Sequence, residues 1–180
     1  MGRPLVVLVG GRPASGKTTL ARHLSGALGL PFISRDIITE ALADTLTRTS
    51  RELVEPSFAV FWRLIDLQVH AGVGVVAETN LHRGAAEPSV RAVAEQADVA
   101  LVYCQTAREL SIRRFAERVE RGERHWCFED AARLERVRAG AVDPAWERAF
   151  PLCVGQRTLV VDTSDGYTPG LATILAFIRR

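Results

Sequence analysis

Lysine is all but absent from this 180-residue chain: of 23 basic residues, 22 are arginine and one, Lys17, is lysine. With its one lysine outside any N/T-K-x-D stretch, the chain cannot read guanine as a GTPase switch does. Charge imbalance is also lacking. A formal net charge of +2 is too small to imply nucleic-acid binding by itself. Cysteine is scarce, and Cys104, Cys127 and Cys153 are odd in number and far apart. They form no CxxC or Cys/His pattern, which argues against a disulfide scaffold and a zinc site. His23, His70 and His82 likewise show no metal-ligand spacing and read as surface or core residues. Long apolar runs are missing too. Leu5–Val9 is too short for a signal-peptide core or a membrane span, so the expectation is a cytoplasmic protein without membrane association.

What is present is an ordinary globular composition, 47% hydrophobic and 24% charged, enough for one domain over residues 1–180. Repeats, low-complexity tracts and long linkers are not seen. Short apolar runs alternate with helical patterns. Strands are predicted at Leu5–Val9, Pro31–Ser34, Val73–Ala77, Val99–Cys104 and Thr158–Asp162. Helices are predicted at Lys17–Leu28, Asp36–Leu46, Pro56–Gly72, Pro88–Ala97, Ala107–Glu120, Phe128–Arg138 and about Pro169–Ile178. Such alternation specifies an α/β fold with a mostly parallel sheet covered on both faces. Ligands of such sheets bind beyond the carboxyl ends of the strands.

Gly11-Arg12-Pro13-Ala14-Ser15-Gly16-Lys17-Thr18 fits G-x-x-x-x-G-K-[ST], and it joins a strong strand to a helix, the context that identifies a P-loop. Glycines at its ends let backbone N–H groups wrap a phosphate, and the helix N-terminus adds positive potential. Lys17 is expected to reach the β- and γ-phosphates as a slim point charge, and Thr18 to offer its hydroxyl to Mg²⁺. A planar guanidinium is no substitute there. Gly11, Ala14, Ser15, Gly16, Lys17, Thr18 and Thr19 are therefore the nucleotide-binding candidates of this segment.

Three carboxylates follow predicted strands. Asp36 suits a general base for an attacking hydroxyl, although aspartate also caps helices. Glu78, in Glu78-Thr79-Asn80, suits a Mg²⁺ contact through water. Asp162 and Thr163 open a loop on the base side of the nucleotide site. The segment Arg113–Trp126 carries five arginines, of which Arg114, Arg118 and Arg121 share a helical face. With Glu117 and Glu120 available to pair with Arg113, Arg121 or Arg124, and Gly122 as a hinge, it reads as a lid over about residues 113–128. Trp126 is expected in the core. So is the apolar face Phe58, Phe61, Trp62 and Ile65, in preference to a pocket wall.

The succession GGRPASGKTT, ISRD, VVAETN, Arg114-x-x-x-Arg118, Arg124-His125 and VVDTSD resembles the P-loop kinases grouped with polynucleotide kinase, zeta toxin and chloramphenicol phosphotransferase. The resemblance covers almost the whole chain. It implies a P-loop NTPase three-layer fold with a five-stranded, mostly parallel sheet and an Arg-rich helical lid. It also implies ATP and Mg²⁺ as donor, Asp36 as base, and Arg114 and Arg118 on the phosphates, with Arg124 a further candidate. Two departures stand out. Thr39 replaces the arginine that polynucleotide kinases carry three residues after the base, and Trp126-Cys127 replaces Pro-Gly after the lid's Arg-His. Both disfavour a nucleic-acid acceptor and point to a small molecule bearing a hydroxyl. A 5′-hydroxyl nucleic-acid kinase and a non-catalytic ATP-binding regulator are the alternatives. The acceptor site is expected between Asp36, the Pro56–Gly72 helix and the loop after Asn80.

Overall fold

The computed structural model describes residues 2–180. Five strands, β1 (Leu5–Gly11), β2 (Phe32–Ser34), β3 (Val75–Glu78), β4 (Asp98–Gln105) and β5 (Arg157–Asp162), form one sheet in the order β2-β3-β1-β4-β5. All of its pairings are parallel, where the sequence led to the expectation of a mostly parallel sheet. The run Leu5–Val9 takes the central place because it is apolar at every position, as a strand covered on both faces must be. Val6 pairs with Val75 on one side and Val99 on the other.

Strand alternation splits the core in two. On one face Val6 and Leu8 pack with Phe61, Ile65 and Val69 of α3 (Val54–His70) and Val90 and Val93 of α4 (Glu87–Gln96). On the other, Val7 and Val9 meet Leu20 and Leu24 of α1 (Lys17–Leu28) and Ile174 and Ile178 of α8 (Leu171–Ile178). A third, smaller cluster joins Phe115 of α5 (Arg108–Glu120), Leu134 and Val137 of α6 (Asp130–Arg138) and Trp146 of the single turn α7 (Pro144–Glu147). The remaining helix, α2 (Arg35–Leu46), follows β2 without a loop.

Several expectations are corrected. α2 starts at Arg35, so Ser34 occupies the N-cap position and Asp36 lies inside the first turn. Asp36 is therefore not a cap. α6 starts at Asp130, because Trp126–Phe128 is a short 3-10 turn and Glu129 at φ 49° breaks the path. α7 has too few residues to show periodicity, and no helix is expected there from the sequence. Trp126, expected in the core, is 53% exposed, whereas Trp146 is 1% exposed at the centre of the lid cluster. Trp126 sits on the outer turn of the lid, its ring tilted against His125 and its Nε1 3.4 Å from Asp44. No helix among the described residues is long and apolar enough to cross a membrane.

Candidate active site

The carboxyl ends of β1, β2 and β3, together with the lid helices, enclose a cleft of about 710 Å³. Its floor is the P-loop. At Gly11, with φ +145°, a Cβ atom would come within 2.5 Å of the Cys104 carbonyl oxygen, so only glycine lets β1 turn beside β4. Gly16 opens α1 in the left-handed region, at φ 82°. Ala14 shares that conformation at φ 54°, an arrangement a non-glycine residue holds only under constraint.

The constraint comes from behind. Ser111 of α5 donates its hydroxyl to the Pro13 carbonyl at 2.5 Å, and Trp146 Nε1 donates to Ser111 Oγ at 2.8 Å. The Arg12 guanidinium donates to the carbonyls of Trp146 at 3.2 Å and Thr106 at 3.0 Å. The loop is thus clamped to the base of the lid by residues whose partners lie about a hundred positions away in sequence.

Lys17 is buried, and its Nζ donates to the Arg12 carbonyl at 2.9 Å. Burial pulls its ammonium pKa down, while the charges of Glu78 and Asp36 pull it back up without cancelling the effect. Glu78 lies beneath the loop, buried, accepting from Ser34 Oγ at 2.6 Å and Thr18 Oγ1 at 3.2 Å. Burial raises its carboxyl pKa, and Lys17 lowers it by less. Thr18 and Glu78 are thus one hydroxyl and one carboxylate in contact. Hard cations such as Mg²⁺ take few protein ligands of this kind and complete their shell with phosphate oxygens and water. A hydroxyl and a carboxylate at 3.2 Å thus fit a cation that arrives with a nucleotide.

Asp36 lies on the cleft wall. Arg124 Nη1 donates to its Oδ2 at 2.7 Å, and Arg35 Nη2 is 3.7 Å from Oδ1. Burial alone would raise the Asp36 carboxyl, but Arg124 and Arg35 outweigh it and hold the group below its ordinary value. Arg124 also approaches Asp130 at 3.2 Å, and its guanidinium lies 3.7 Å from the centre of the Phe128 ring. Arg118 reaches Asp130 at 3.4 Å. The lid segment therefore rests on α2 with its cations facing the cleft.

The expected site residues divide as follows. Ala14, Gly16, Lys17, Thr18, Thr19, Asp36, Arg114 and Arg118 line the cleft together. Gly11 and Ser15 support it from within the loop, and Glu78 from below. Arg114 is already engaged, donating to the carbonyls of Thr163 at 2.9 Å and Ser164 at 2.7 Å. It tethers the loop after β5 to α5. Thr163 does not line the cleft, because its hydroxyl is turned to the Gln105 carbonyl at 3.1 Å. Asp162 caps the same loop by accepting from Ser164 N at 2.8 Å. The expected lid pairs form in part: Arg113 meets Glu117 at 3.9 Å, but Arg121 pairs with Glu123 and Arg124 with Asp36 and Asp130.

Other cleft residues were not anticipated. His82, read from sequence as surface or core, lines the cleft, as do Arg35 and Arg133. Phe58 also belongs to the wall, with the Arg35 guanidinium 4.4 Å from its ring centre, while Phe61 and Ile65 are core as expected. Arg35 adjoins Asp36 in ISRD, a usable signal. Nothing in the sequence distinguishes Arg133 or His82. Every buried side-chain polar atom without a partner among the described residues lies in the P-loop, at the start of α2, in the loop after β3 or in the lid. These atoms are Ser15 Oγ, Arg35 Nε, Thr79 Oγ1, His82 Nε2, Arg118 Nε, Asp130 Oδ1 and Arg124 Nε, the last with an ionic contact to Asp130 at 3.2 Å but no hydrogen bond. Leaving such atoms unpaired costs about 1–3 kcal/mol each, and their concentration in one place is what a ligand site looks like.

Comparison with known proteins agrees with this geometry. Residues 6–143 match the AAA_33 family, described as an AAA domain, and the chain belongs to that family. A structure named provisionally as a kinase, from Chloroflexus aurantiacus J-10-fl, superposes with a TM-score of 0.81 over 99% of this chain and 98% of its own, at 24% identity. A gluconokinase from Sinorhizobium meliloti 1021 gives a TM-score of 0.60 over 100% and 94%, at 19% identity. At these identities the likeness is one of fold, that of a small P-loop kinase. A cytidylate kinase from Acidiphilium cryptum (strain JF-5) is 35% identical over 57 residues, 32% of this chain and 27% of that one. The matched stretch is thus about a quarter of that relative's length.

Proposed function

For a member of this family with these groups in one cleft, we propose an ATP-dependent phosphotransferase that moves the γ-phosphate to a hydroxyl of a small molecule, with Asp36 as general base. The observation that carries the reading is that Asp36 and the P-loop residues Lys17 and Thr18 line one continuous cleft, with Glu78 bonded to Thr18. The names of the relatives, a gluconokinase and a cytidylate kinase, agree with a small acceptor. So does Thr39, which is buried and returns its hydroxyl to the Arg35 carbonyl at 2.9 Å, contributing nothing to the cleft.

In the proposed reaction the acceptor oxygen bonds to the γ-phosphorus. The bond from that phosphorus to the bridging oxygen of ADP breaks, and ADP keeps the electron pair. The hydroxyl proton passes to the Asp36 carboxylate. Because Arg124 and Arg35 hold Asp36 ionised, it is a hydrogen-bond acceptor for the hydroxyl from the start. It receives the proton late, when bond formation to phosphorus has made that proton acidic. Lys17 and the lid arginines Arg118 and Arg124 stabilise charge on the transferring group. Thr18 and, through water, Glu78 are the residues that would hold Mg²⁺. That ion would supply charge neutralisation to the transferring phosphoryl group. The test is transfer of labelled γ-phosphate to a panel of hydroxyl-bearing metabolites and antibiotics, comparing the wild type with Asp36→Asn. Transfer that depends on Asp36 supports the reading, and nucleotide binding without transfer to any acceptor supports the regulator instead.

A further inference from the structure

The sheet order divides the cleft. The loop after β5, tied to α5 by Arg114, lies toward one edge of the sheet, and β2 and β3 form the other. A nucleotide with its phosphates on the P-loop at β1 and its base toward the β5 side leaves the β2–β3 side for the acceptor. That side is not neutral. Nine cationic and only two carboxylate side chains line the cleft as a whole. Of the two carboxylates, Asp143 is gripped by Arg133 at 2.7 and 2.9 Å, and Asp36 by Arg124 at 2.7 Å.

Arg35 is left over. Its nearest carboxylate oxygen, on Asp36, is 3.7 Å away, beyond hydrogen-bond reach. Its guanidinium is fixed over the Phe58 ring, and its Nε is buried without a partner. His82, brought in by the loop after β3, has its Nε2 buried without a partner in the same cleft. Burial first, and the charge of Arg35 next, keep the His82 imidazole pKa below its ordinary value. An imidazole and a guanidinium without a hydrogen-bonded carboxylate thus come from two separate elements into the cleft that holds Asp36, the carboxylate that is to receive the acceptor's proton.

Building on the kinase reading, we propose that the acceptor is a compact hydroxylated anion whose carboxylate or phosphate oxygens dock on Arg35 and His82 while its hydroxyl faces Asp36. Arg35 and Asp36 are adjacent residues with their charged groups 3.7 Å apart. The anionic group and the reacting hydroxyl are accordingly within roughly 9–10 Å of each other, allowing one hydrogen-bond length at each end. Hydroxy acids and sugar phosphates meet that requirement. Neutral polyols and long polymers do not use it.

The experiment has two arms. In the first, transfer from labelled ATP is measured for gluconate, glycerate and glycerol 3-phosphate against glucitol and glycerol, with a 5′-hydroxyl oligonucleotide included. An anionic acceptor is expected to exceed its neutral counterpart by about 10²-fold in kcat/KM, and the comparison of carboxylates with the phosphate identifies which oxyanion is preferred. Arg35→Gln is expected to reduce that preference below about tenfold, chiefly through KM for the anion; ATP affinity of the same variant reports whether it is folded. In the second arm, without ATP, the His82 ring resonances are titrated with gluconate and with glycerol 3-phosphate. Docking beside the imidazole raises its pKa, and Arg35→Gln abolishes the rise, which anion binding on the P-loop would not. Neutral acceptors within about threefold of the anions, a preference unmoved by Arg35→Gln, or an oligonucleotide preferred over every small acceptor each overturn the proposal. An Arg35-dependent shift of His82 with no transfer to any acceptor upholds the anion site and removes the kinase reading.

Discussion

Replacing Asp36 by asparagine keeps the shape of the side chain and removes its charge, and the proposed chemistry makes three readouts respond differently. Transfer should fall about 10²–10⁴-fold, the range for losing a positioned general base, or about 2.7–5.5 kcal/mol of barrier. Stability should fall by less. The lost contact is a charge-assisted bond to Arg124 at 2.7 Å, with the Asp36 side chain 34% and the Arg124 side chain 18% exposed. Such bonds contribute about 1.5–3 kcal/mol when well buried and about 0–1 kcal/mol at the surface. A value of about 1–2 kcal/mol, or about 2–8 °C in Tm, follows for a chain of this length. Nucleotide affinity should stay level or tighten, because an anion has been taken from a cleft that receives phosphates. The stability difference carries its own pH signature. Since the folded-state pKa of Asp36 lies below its ordinary value of 3.8, its contribution is complete above that value and is lost as pH falls through the folded pKa. Urea unfolding of both proteins between about pH 2 and pH 7 reads this, and single-turnover transfer at pH 7 reads the chemistry. Transfer within about threefold of wild type would remove Asp36 from the role of base. Loss of nucleotide binding in a folded variant would make it a structural residue.

Three further outcomes follow from other parts of the structure. Lys17→Arg keeps the charge but needs a planar group where Nζ is buried 2.9 Å from the Arg12 carbonyl; transfer should drop by about 10²–10³-fold, and an unchanged rate would make the lone lysine an accident of composition. Gly11→Ala sets a methyl group 2.5 Å from a backbone oxygen and 2.7 Å from Ser15 Oγ at φ +145°; urea denaturation should show a loss of about 2–5 kcal/mol, and a loss below about 1 kcal/mol would contradict the close approach. Burial holds the Cys104 thiol up at about 12 and the Cys127 thiol at about 11, while Cys153 is exposed. Iodoacetamide at about pH 8 should therefore modify Cys153 alone in the folded protein and all three after unfolding, as mass spectrometry would show.

Legibility in the sequence tracked the distance over which residues act. The P-loop is contiguous, so Lys17 and Thr18 stand out as candidates from spacing alone, and α1 has the predicted bounds Lys17–Leu28. Strand and helix order was legible because each apolar run carries its own period. What could not be read were contacts closed by the fold. Trp146, Ser111 and Pro13 are far apart in sequence, and only the sheet brings them together. Arg124 and Asp36 are separated by 88 positions. With 22 arginines in the chain, residue type did not tell Arg114, which is spent on two carbonyls, from Arg35, whose Nε has no partner. Trp126 is misplaced for the same kind of reason, since aromatic character marks it for burial as it does Trp146, and only packing leaves the one exposed and the other buried.

The lid has two kinds of attachment, and they bear differently on the proposed reaction. At its base, Ser111, Trp146 and Arg12 fix α5 and α7 to the P-loop, and Arg114 fixes α5 to the loop after β5. These bonds are to backbone carbonyls or between buried side chains, and no substrate group competes for them. At its tip, Arg124 holds Asp36, His125 Nε2 lies 3.0 Å from Asp44, and the Cys127 carbonyl accepts from Ser50 N at 2.8 Å. Of these, only the Arg124–Asp36 pair involves the group that the acceptor hydroxyl is to meet. On the proposed reading, acceptor binding competes with Arg124 for Asp36 and frees a guanidinium beside the transferring phosphate, where its charge stabilises the transition state. On the same reading Gly122, at φ +62° with open space around it, stands between the fixed base and this exchangeable tip and is the proposed hinge.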